Sequence, residues 1–343
     1  MASPTAHTLQ DLAAICRVSK MTVSRALRGQ PGVSPALAER IRAAAEKAGY
    51  QPNPAVGSVM RLLRRREATG YHENLAFIWT HAGSRPLPLL VPWRDHARAR
   101  AERLGYRLDE FFLRAPGMTS ARLRTILRTR GIRGILFAPD TAPPLPHVSF
   151  NVAGFAAVLL GSSLLNRGLA RVQFDHFQLI HLALRQVRKA GYRRPALFLS
   201  PSIDARTQGR LRAGCLMHSA APPAERARLI YLGDMADRPA MLKWISRHRP
   251  DVVIFIEADL PRLFARPPAA RIPPLVALSK HHHSDAIPGI LQSAEAIGRA
   301  AVDLVVAQIQ RHEFGRIPFP QKVMLEGTWS GGEGLPRGET SDQ

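Results

Sequence analysis

The chain has 343 residues, 45% of them hydrophobic, and a formal net charge of +22 at pH 7. That length allows two or three compact units, and the sequence holds no run of about eighteen apolar residues, the span of a membrane helix. The opening MASPTAHTLQD lacks the apolar core of a secretory signal, and Cys16 and Cys215 are the only cysteines, so we expect a cytoplasmic chain with two free thiols and no membrane partner.

The basic excess suits a polyanionic partner, but it is spread along the chain. Residues 1–73 hold eleven Lys and Arg against five Asp and Glu, and most of the net charge lies downstream. Only six of the 48 basic residues are lysine. The downstream excess therefore reads as an arginine-heavy composition and not as a second nucleic-acid site.

Residues 1–7 read as disordered. The stretch TLQDLAAICRVSKMTVSRALR, residues 8–28, predicts two short helices joined by a tight turn. Leu9, Leu12, Ala13 and Cys16 recur at i, i+3, i+4 and i+7, one apolar helical face. Arg17-Val18 is the turn. Ser19 caps the second helix by accepting a hydrogen bond from one of its first N–H groups. Val23, Ala26 and Leu27 form the back of that helix; Lys20, Thr22, Ser24, Arg25 and Arg28 cover the rest. A short helix with a packed back and a donor-rich front is what a DNA major groove admits and reads. A small helical bundle with a charged face is the plainer alternative. Ser34-Pro35 then starts a third helix, with Ser34 as cap and proline in the first turn. Leu37, Ile41, Ala44, Ala45 and Ala48 form its apolar face, and Gly49 ends it.

This stretch resembles the helix-turn-helix of the lactose and galactose repressor family. The resemblance rests on Thr8-Leu9-Gln10-Asp11-Leu12-Ala13, on Arg17-Val18-Ser19, and on Thr22-Val23-Ser24-Arg25-Ala26-Leu27-Arg28. Val33-Ser34 and Ala48-Gly49-Tyr50-Gln51-Pro52-Asn53 continue it in order. It implies a DNA-binding domain over residues 8–52 and a hinge over 53–66. The implied DNA contacts come from Ser19, Lys20, Met21, Thr22, Ser24, Arg25, Arg28, Ser34, Tyr50 and Asn53. In the family the hinge folds on DNA and wedges an apolar side chain into the minor groove; here Val59 and Met60 hold that place. A plain linker with a basic end, Arg61 and Arg64 to Arg66, is the alternative. Two residues depart from the family pattern. The turn glycine is Arg17, which costs on the order of 1 kcal/mol if its φ is positive. The Asn after the recognition helix is Arg28, an added phosphate-seeking charge.

From residue 74 the pattern alternates strands with helices. Strands are expected at 75–80, 107–113, 134–138, 155–160, 172–174, 196–200, 228–232, 252–257, 275–279 and 323–329. Helices are expected from about 92 to 105 and over 119–130, 176–190, 207–218, 239–248 and 294–312. Such alternation implies parallel sheets covered by helices. Val172-x-x-Asp175, Ala190-Gly191-Tyr192, Arg212-Ala213-Gly214 and Ile297-Gly298 with Ala301-Val302 and Leu304 resemble the type I periplasmic-binding-protein-like sensor domain of the same family. The implied fold class is an N-terminal all-α head plus an α/β sensor over 74–330. The sensor has two Rossmann-like subdomains joined by three crossovers, with an effector cleft between them and a role in dimerisation. One subdomain would be 74–172 with 293–320, the other 173–290 with 321–330. Residues 331–343 read as a loose tail.

No chemistry of catalysis is legible. There is no Gly-rich phosphate loop after a strand, and no HExxH, CxxC or GxSxG motif. Gly161-Ser162-Ser163 reads as a polar turn. His281-His282-His283 invites a metal, but adjacent residues of an extended chain face opposite ways. A solvated loop, or an effector contact beside the cleft, competes with that reading. We therefore expect no enzyme, no metal site and no cofactor.

Cleft residues must come from strand ends, where Asp140, Phe174, Asp175, Arg210, Glu257 and Gln292 stand. Sugar-binding relatives use an acid and an arginine on hydroxyls with an aromatic ring on the sugar face. Leu211 and Leu291 here replace the usual Arg and Asp, so the effector is a small molecule with a carbohydrate as one candidate. The expected function is a homodimeric, sequence-specific transcriptional regulator, a repressor on a palindromic operator in double-stranded DNA. The alternative is a ligand- or metal-sensing protein whose head has lost DNA function, with Arg17 as its sign.

Overall fold

The structure, a computed structural model, describes residues 9–27, 31–48, 73–140, 147–257, 259–265, 272–280 and 286–331. The expectations for residues 1–7, Gly49, the hinge, His281–His283 and nearly all of the tail lie outside them.

The head is α1 (Leu9–Cys16), α2 (Lys20–Leu27) and α3 (Pro35–Lys47). Each helix sends one fully buried side chain, Leu12, Val23 and Ile41, into a shared core. Ala13, Cys16, Ala26, Ala38, Ala45 and Ala48 fill around them. These small residues let three short helices approach closely, and they are the apolar positions of the 3.6-residue period.

The α/β region runs β1 (Glu73–Ala82), α4 (Val91–Arg103), β2 (Tyr106–Arg114), α5 (Ser120–Thr129), β3 (Gly134–Phe137), β4 (Ala156–Leu160) and β5 (Ala170–Phe174). It continues with α6 (His176–Lys189), β6 (Pro195–Leu199), α7 (Pro201–Arg206), α8 (Arg210–His218), α9 (Pro223–Arg226), β7 (Ile230–Leu232), α10 (Arg238–His248) and β8 (Val252–Phe255). The last elements are α11 (Leu260–Phe264), β9 (Leu275–Ala277), β10 (Gly289–Leu291), α12 (Ala294–Arg311), β11 (Lys322–Leu325) and β12 (Thr328–Ser330). Among the described residues no helix is long and apolar enough to cross a membrane.

The strands form two six-stranded sheets, in the orders β11-β5-β4-β3-β1-β2 and β12-β10-β9-β8-β6-β7. The first sheet is parallel throughout, and in the second only β12 runs antiparallel, against β10. Central strands such as GILF and VVIF are buried along their whole length, as expected of parallel strands covered on both faces. One apolar cluster, from Leu75 through Leu197 to Ile309, spans both halves, while separate clusters line the outer face of each sheet. Helix α12 lies against α4 so tightly that a Cβ at Gly298 would sit 2.7 Å from the Ala97 nitrogen. The expected class, a helical head and two parallel-sheet subdomains, is the observed one.

Three crossovers join the sheets: Asp175, residues 292–293, and residues 326–327. Two of them are tied together, because the Asp175 N–H donates to the Leu325 carbonyl at 2.8 Å. This corrects the sequence reading of one strand over 323–329. The run is two strands in different sheets, so β11 belongs with the N-terminal half. At the break a Cβ on Gly327 would lie 2.3 Å from Ile290 Cγ2 and 2.6 Å from Leu179 Cδ2, so a side chain there would force those neighbours to move.

The expected helix over 207–218 is also corrected. Ser200 caps α7, with Pro201 in its first turn. Gln208 and Gly209, at φ 55 and 69, then stop it before α8 begins at Arg210. The strand expected over 252–257 ends at Phe255, which leaves Glu257 beyond the sheet.

Candidate nucleic-acid interface and effector cleft

The head turns between its first two helices on Arg17, at φ 52. The Arg17 N–H donates to Ala14 O at 3.2 Å and the Val18 N–H to Ala13 O at 3.0 Å. This is the paired closure that ends a helix on a left-handed residue. Glycine fits it freely, whereas an arginine there costs about 1–2 kcal/mol. The strain is local, because the turn keeps its geometry. Arg40 Nη2 of α3 donates to Cys16 O at 3.3 Å, one of the carbonyls that the end of α1 leaves without a helical partner.

Ser19 caps α2 as expected: its hydroxyl accepts the Thr22 N–H at 3.1 Å and shares a 2.9 Å hydrogen bond with the Thr22 hydroxyl. Both side chains are therefore engaged in the turn. Lys20 and Arg25 are exposed, and Met21 is 64% exposed at the start of α2. Ser24 is half-buried. The Arg25 guanidinium lies beside Gly32, on the segment leading to α3. An open groove of about 580 Å³ between α1 and α2 is lined by Gln10, Arg17, Ser19 and Lys20 among others. Two cations and a helix N-terminus together favour a phosphate. Ser34 caps α3 by accepting the Leu37 N–H at 3.4 Å. Arg28, Tyr50, Asn53, Val59 and Met60 lie outside the described residues.

At the strand ends of the sensor, the six expected effector residues separate. Asp140 follows β3, is 1% exposed, and pairs with Arg114 at 3.6 Å. Arg114 also lines a cavity of about 320 Å³ with Thr80, Thr119, Ser120 and His147. Phe174 is buried in the core, edge-on to Trp93 at a centroid distance of 6.1 Å. Asp175 accepts the Phe177 and Gln178 N–H groups at 3.1 and 3.2 Å, which makes it the cap of α6. The Gln292 amide donates to Leu278 O at 2.8 Å. Asp175 and Gln292 thus brace crossovers. Glu257 accepts the Ser200 N–H at 2.7 Å and the Ile256 N–H at 3.4 Å. Arg210 opens α8.

The structure gathers around Arg210 a set of groups that the sequence reading passed over. Arg171 of β5 is buried; its guanidinium donates to Gly161 O at 2.6 Å and to Leu164 O, holding the turn after β4. Burial, then repulsion from Arg210, brings its pKa down to about 10. His176 opens α6. Burial first and Arg210 second push its pKa down to about 4, with Arg206 adding to the fall and Asp175 opposing it. Burial likewise lowers the pKa of Arg206, against the pull of Glu257. Arg171 stands on one sheet and Arg210 in the other half, and the charge of Arg210 still reaches Arg171. One signal was present in the sequence. Arg171 and Gln173 interrupt a strand whose other residues, Ala170, Val172 and Phe174, are apolar, and charge within a buried strand needs a partner.

Residues 8–53 match the model of a family described as bacterial regulatory proteins, lacI family. The HTH-type transcriptional regulator CelR of Thermobifida fusca is 26% identical over 341 residues, 93% of this chain and 95% of its own length. An uncharacterized HTH-type transcriptional regulator from the aml 5' region of Streptomyces limosus is 27% identical over 233 residues; the match spans 66% of this chain and 62% of that relative. Among solved structures, a complex of the transcriptional regulator CelR with cellobiose superposes with a TM-score of 0.52. The identity is 18%, over 94% of this chain and 98% of that one, which is a likeness of fold.

Proposed function

We infer that this chain, whose residues 8–53 match the lacI family of bacterial regulatory proteins, is a sequence-specific DNA-binding transcriptional regulator of that family, controlled by a small-molecule effector. The observation that carries the DNA reading is α2. It is capped by Ser19, packed from behind through Val23 on Leu12 and Ile41, and presents Lys20, Met21 and Arg25 outward. In this reading Lys20 and Met21 choose bases. Lysine can donate to guanine O6 and N7, and methionine offers an apolar contact to a thymine methyl. Arg17 and Arg25 neutralise phosphates, while Ser19 and Thr22 set the pitch of the helix. The hinge position of Val59 and Met60 remains the candidate minor-groove wedge.

One recognition helix reads few base pairs, so two heads act together. A two-fold dimer then demands an operator with inverted symmetry. Repression is the expected sign, through occupancy of that operator. The effector lies between the sheets and changes affinity to the extent that it prefers one arrangement of the subdomains. The rival reading of a degenerate head loses its main support, since Arg17 sits in a closed and regular turn. The relatives matched are described as regulators.

The test is a specificity exchange. Substituting Lys20 and Met21 together should change the preferred bases in each half-site, and Arg25→Ala should weaken binding by about 1–3 kcal/mol. An unchanged preference after the double exchange would place the reading element elsewhere.

A further inference from the structure

Three guanidiniums act on the neighbourhood where α8 packs against the start of α6, so closely that a Cβ at Gly214 would lie 3.3 Å from the Phe177 carbonyl: Arg210 acts on Arg171, and Arg206 and Arg210 act on His176. Arg171 comes from β5, Arg206 closes α7, and Arg210 opens α8. Among the described residues the nearby acids are engaged elsewhere. Asp175 binds the first N–H groups of α6, Asp204 pairs with Arg212 at 3.2 Å, and Asp140 pairs with Arg114. Glu257 acts on Arg206 but also accepts the Ser200 N–H. No carboxylate among the described residues forms an ion pair with Arg171 or Arg210. Arg171 spends its guanidinium on two carbonyls, which leaves its charge uncompensated.

Like charges held together out of water are costly unless an anion joins them. Four polar atoms close in the chain to these arginines or to the turn that Arg171 holds are buried and without a partner: the donors Ser163 Oγ, Gln173 Nε2 and His176 Nδ1, and one acceptor, Asp204 Oδ1. None of the donors needs to be charged to serve, since a hydroxyl, an amide and a neutral imidazole can all donate to an oxyanion. We propose that the effector carries an anionic group, a phosphate monoester or a carboxylate, seated between Arg210 and the Arg171-held turn, with Arg206, His176 and Ser163 alongside. The proposal rests on the reading that an effector occupies the cleft, and it names that effector's chemical class. Neutral sugars are recognised chiefly through acceptors on their hydroxyls; the unpartnered acceptor here, Asp204 Oδ1, belongs to a carboxylate already paired with Arg212, whereas Arg171 and Arg210 form no ion pair among the described residues.

The test is calorimetric and thermal-shift titration of the full chain with inorganic phosphate, gluconate and cellobiose, against sodium chloride at matched ionic strength. Phosphate or gluconate should bind and raise the melting temperature, with cellobiose weaker or inert; phosphate acting alone assigns a phosphate ester, gluconate alone a carboxylate. Arg210→Gln should weaken anion binding about tenfold or more, the loss of one charge-assisted hydrogen bond. Without ligand the same variant should melt higher than the parent, because Arg171 loses a repulsive neighbour. Arg206→Gln is the second variant should the first fail to fold, and the exposed Arg228→Gln should bind as the parent does. Anion effects equal to those of chloride, or unchanged in both cleft variants, would overturn the proposal. Cellobiose binding with both anions inert would overturn the charge assignment and leave the cleft standing. No response to any of the three would overturn both.

Discussion

The head and the sensor are assembled from different kinds of neighbour. The head core draws Leu12, Val23 and Ile41 from three helices that follow one another within forty residues. The proposed effector site draws Arg171, His176, Arg206, Arg210 and Glu257 from both halves of the sensor. The head therefore has a site that each helix carries on its own surface, resting on a core too small to lose a side chain. The sensor has a deep core, and its proposed site exists only once distant segments meet. Function in the head should be limited by stability, and function in the sensor by electrostatics.

The largest expected effect separates the two cores. Ile41→Ala removes a fully buried side chain from the head, at a cost of about 2–5 kcal/mol, and domains this small are marginal. DNA binding should vanish while the sensor's thermal transition stays in place. Ile254→Ala, equally buried but in the large core, should lower the sensor's melting temperature without unfolding it. Equal damage from the two would erase the contrast.

A second effect is confined to the sensor. His176 has its pKa lowered from 6.5 to about 4. Above pH 6.5 folded and unfolded chains both hold it neutral, so its contribution is fully present. As pH falls toward 4 the unfolded chain takes up a proton that the folded one refuses, and about 3 kcal/mol of stability is lost. Chemical denaturation between pH 7.5 and 4.5 should show that slope, and His176→Gln should flatten it. An unchanged slope would mean that His176 titrates as if it were exposed.

These contrasts also say what could be read from the chain alone. Ser19 and Ser34 as caps, and Leu12 and Ile41 as core, follow from local rules of period and hydrogen bonding. The α/β alternation was legible for the same reason. The division of residues 322–330 between two sheets was not, since MLEGTW reads as one strand and the crowding of Gly327 by Ile290 and Leu179 is a tertiary fact. Asp175 and Gln292 looked like ligand-seeking groups because a sequence does not show which N–H or C=O stands nearby to claim them. Arg210 stands out in the sequence at a strand end, but its meaning depends on its repulsion of the buried Arg171, which lies 39 residues away in the chain.

The smallest effect lies in the head's turn. Arg17→Gly should relieve the left-handed strain and stabilise the head by about 1 kcal/mol. It should also reduce the salt dependence of DNA binding by about one phosphate contact. A head destabilised by glycine would mean that the arginine side chain makes good the strain.

The central claim is that two copies of α2 read an operator together. Selection of bound sequences from random DNA with the purified full chain tests it most directly. The account predicts enrichment of one motif with inverted symmetry, whose affinity falls steeply between about 50 and 200 mM salt. No enriched motif, or one without symmetry and with a flat salt response, would contradict it.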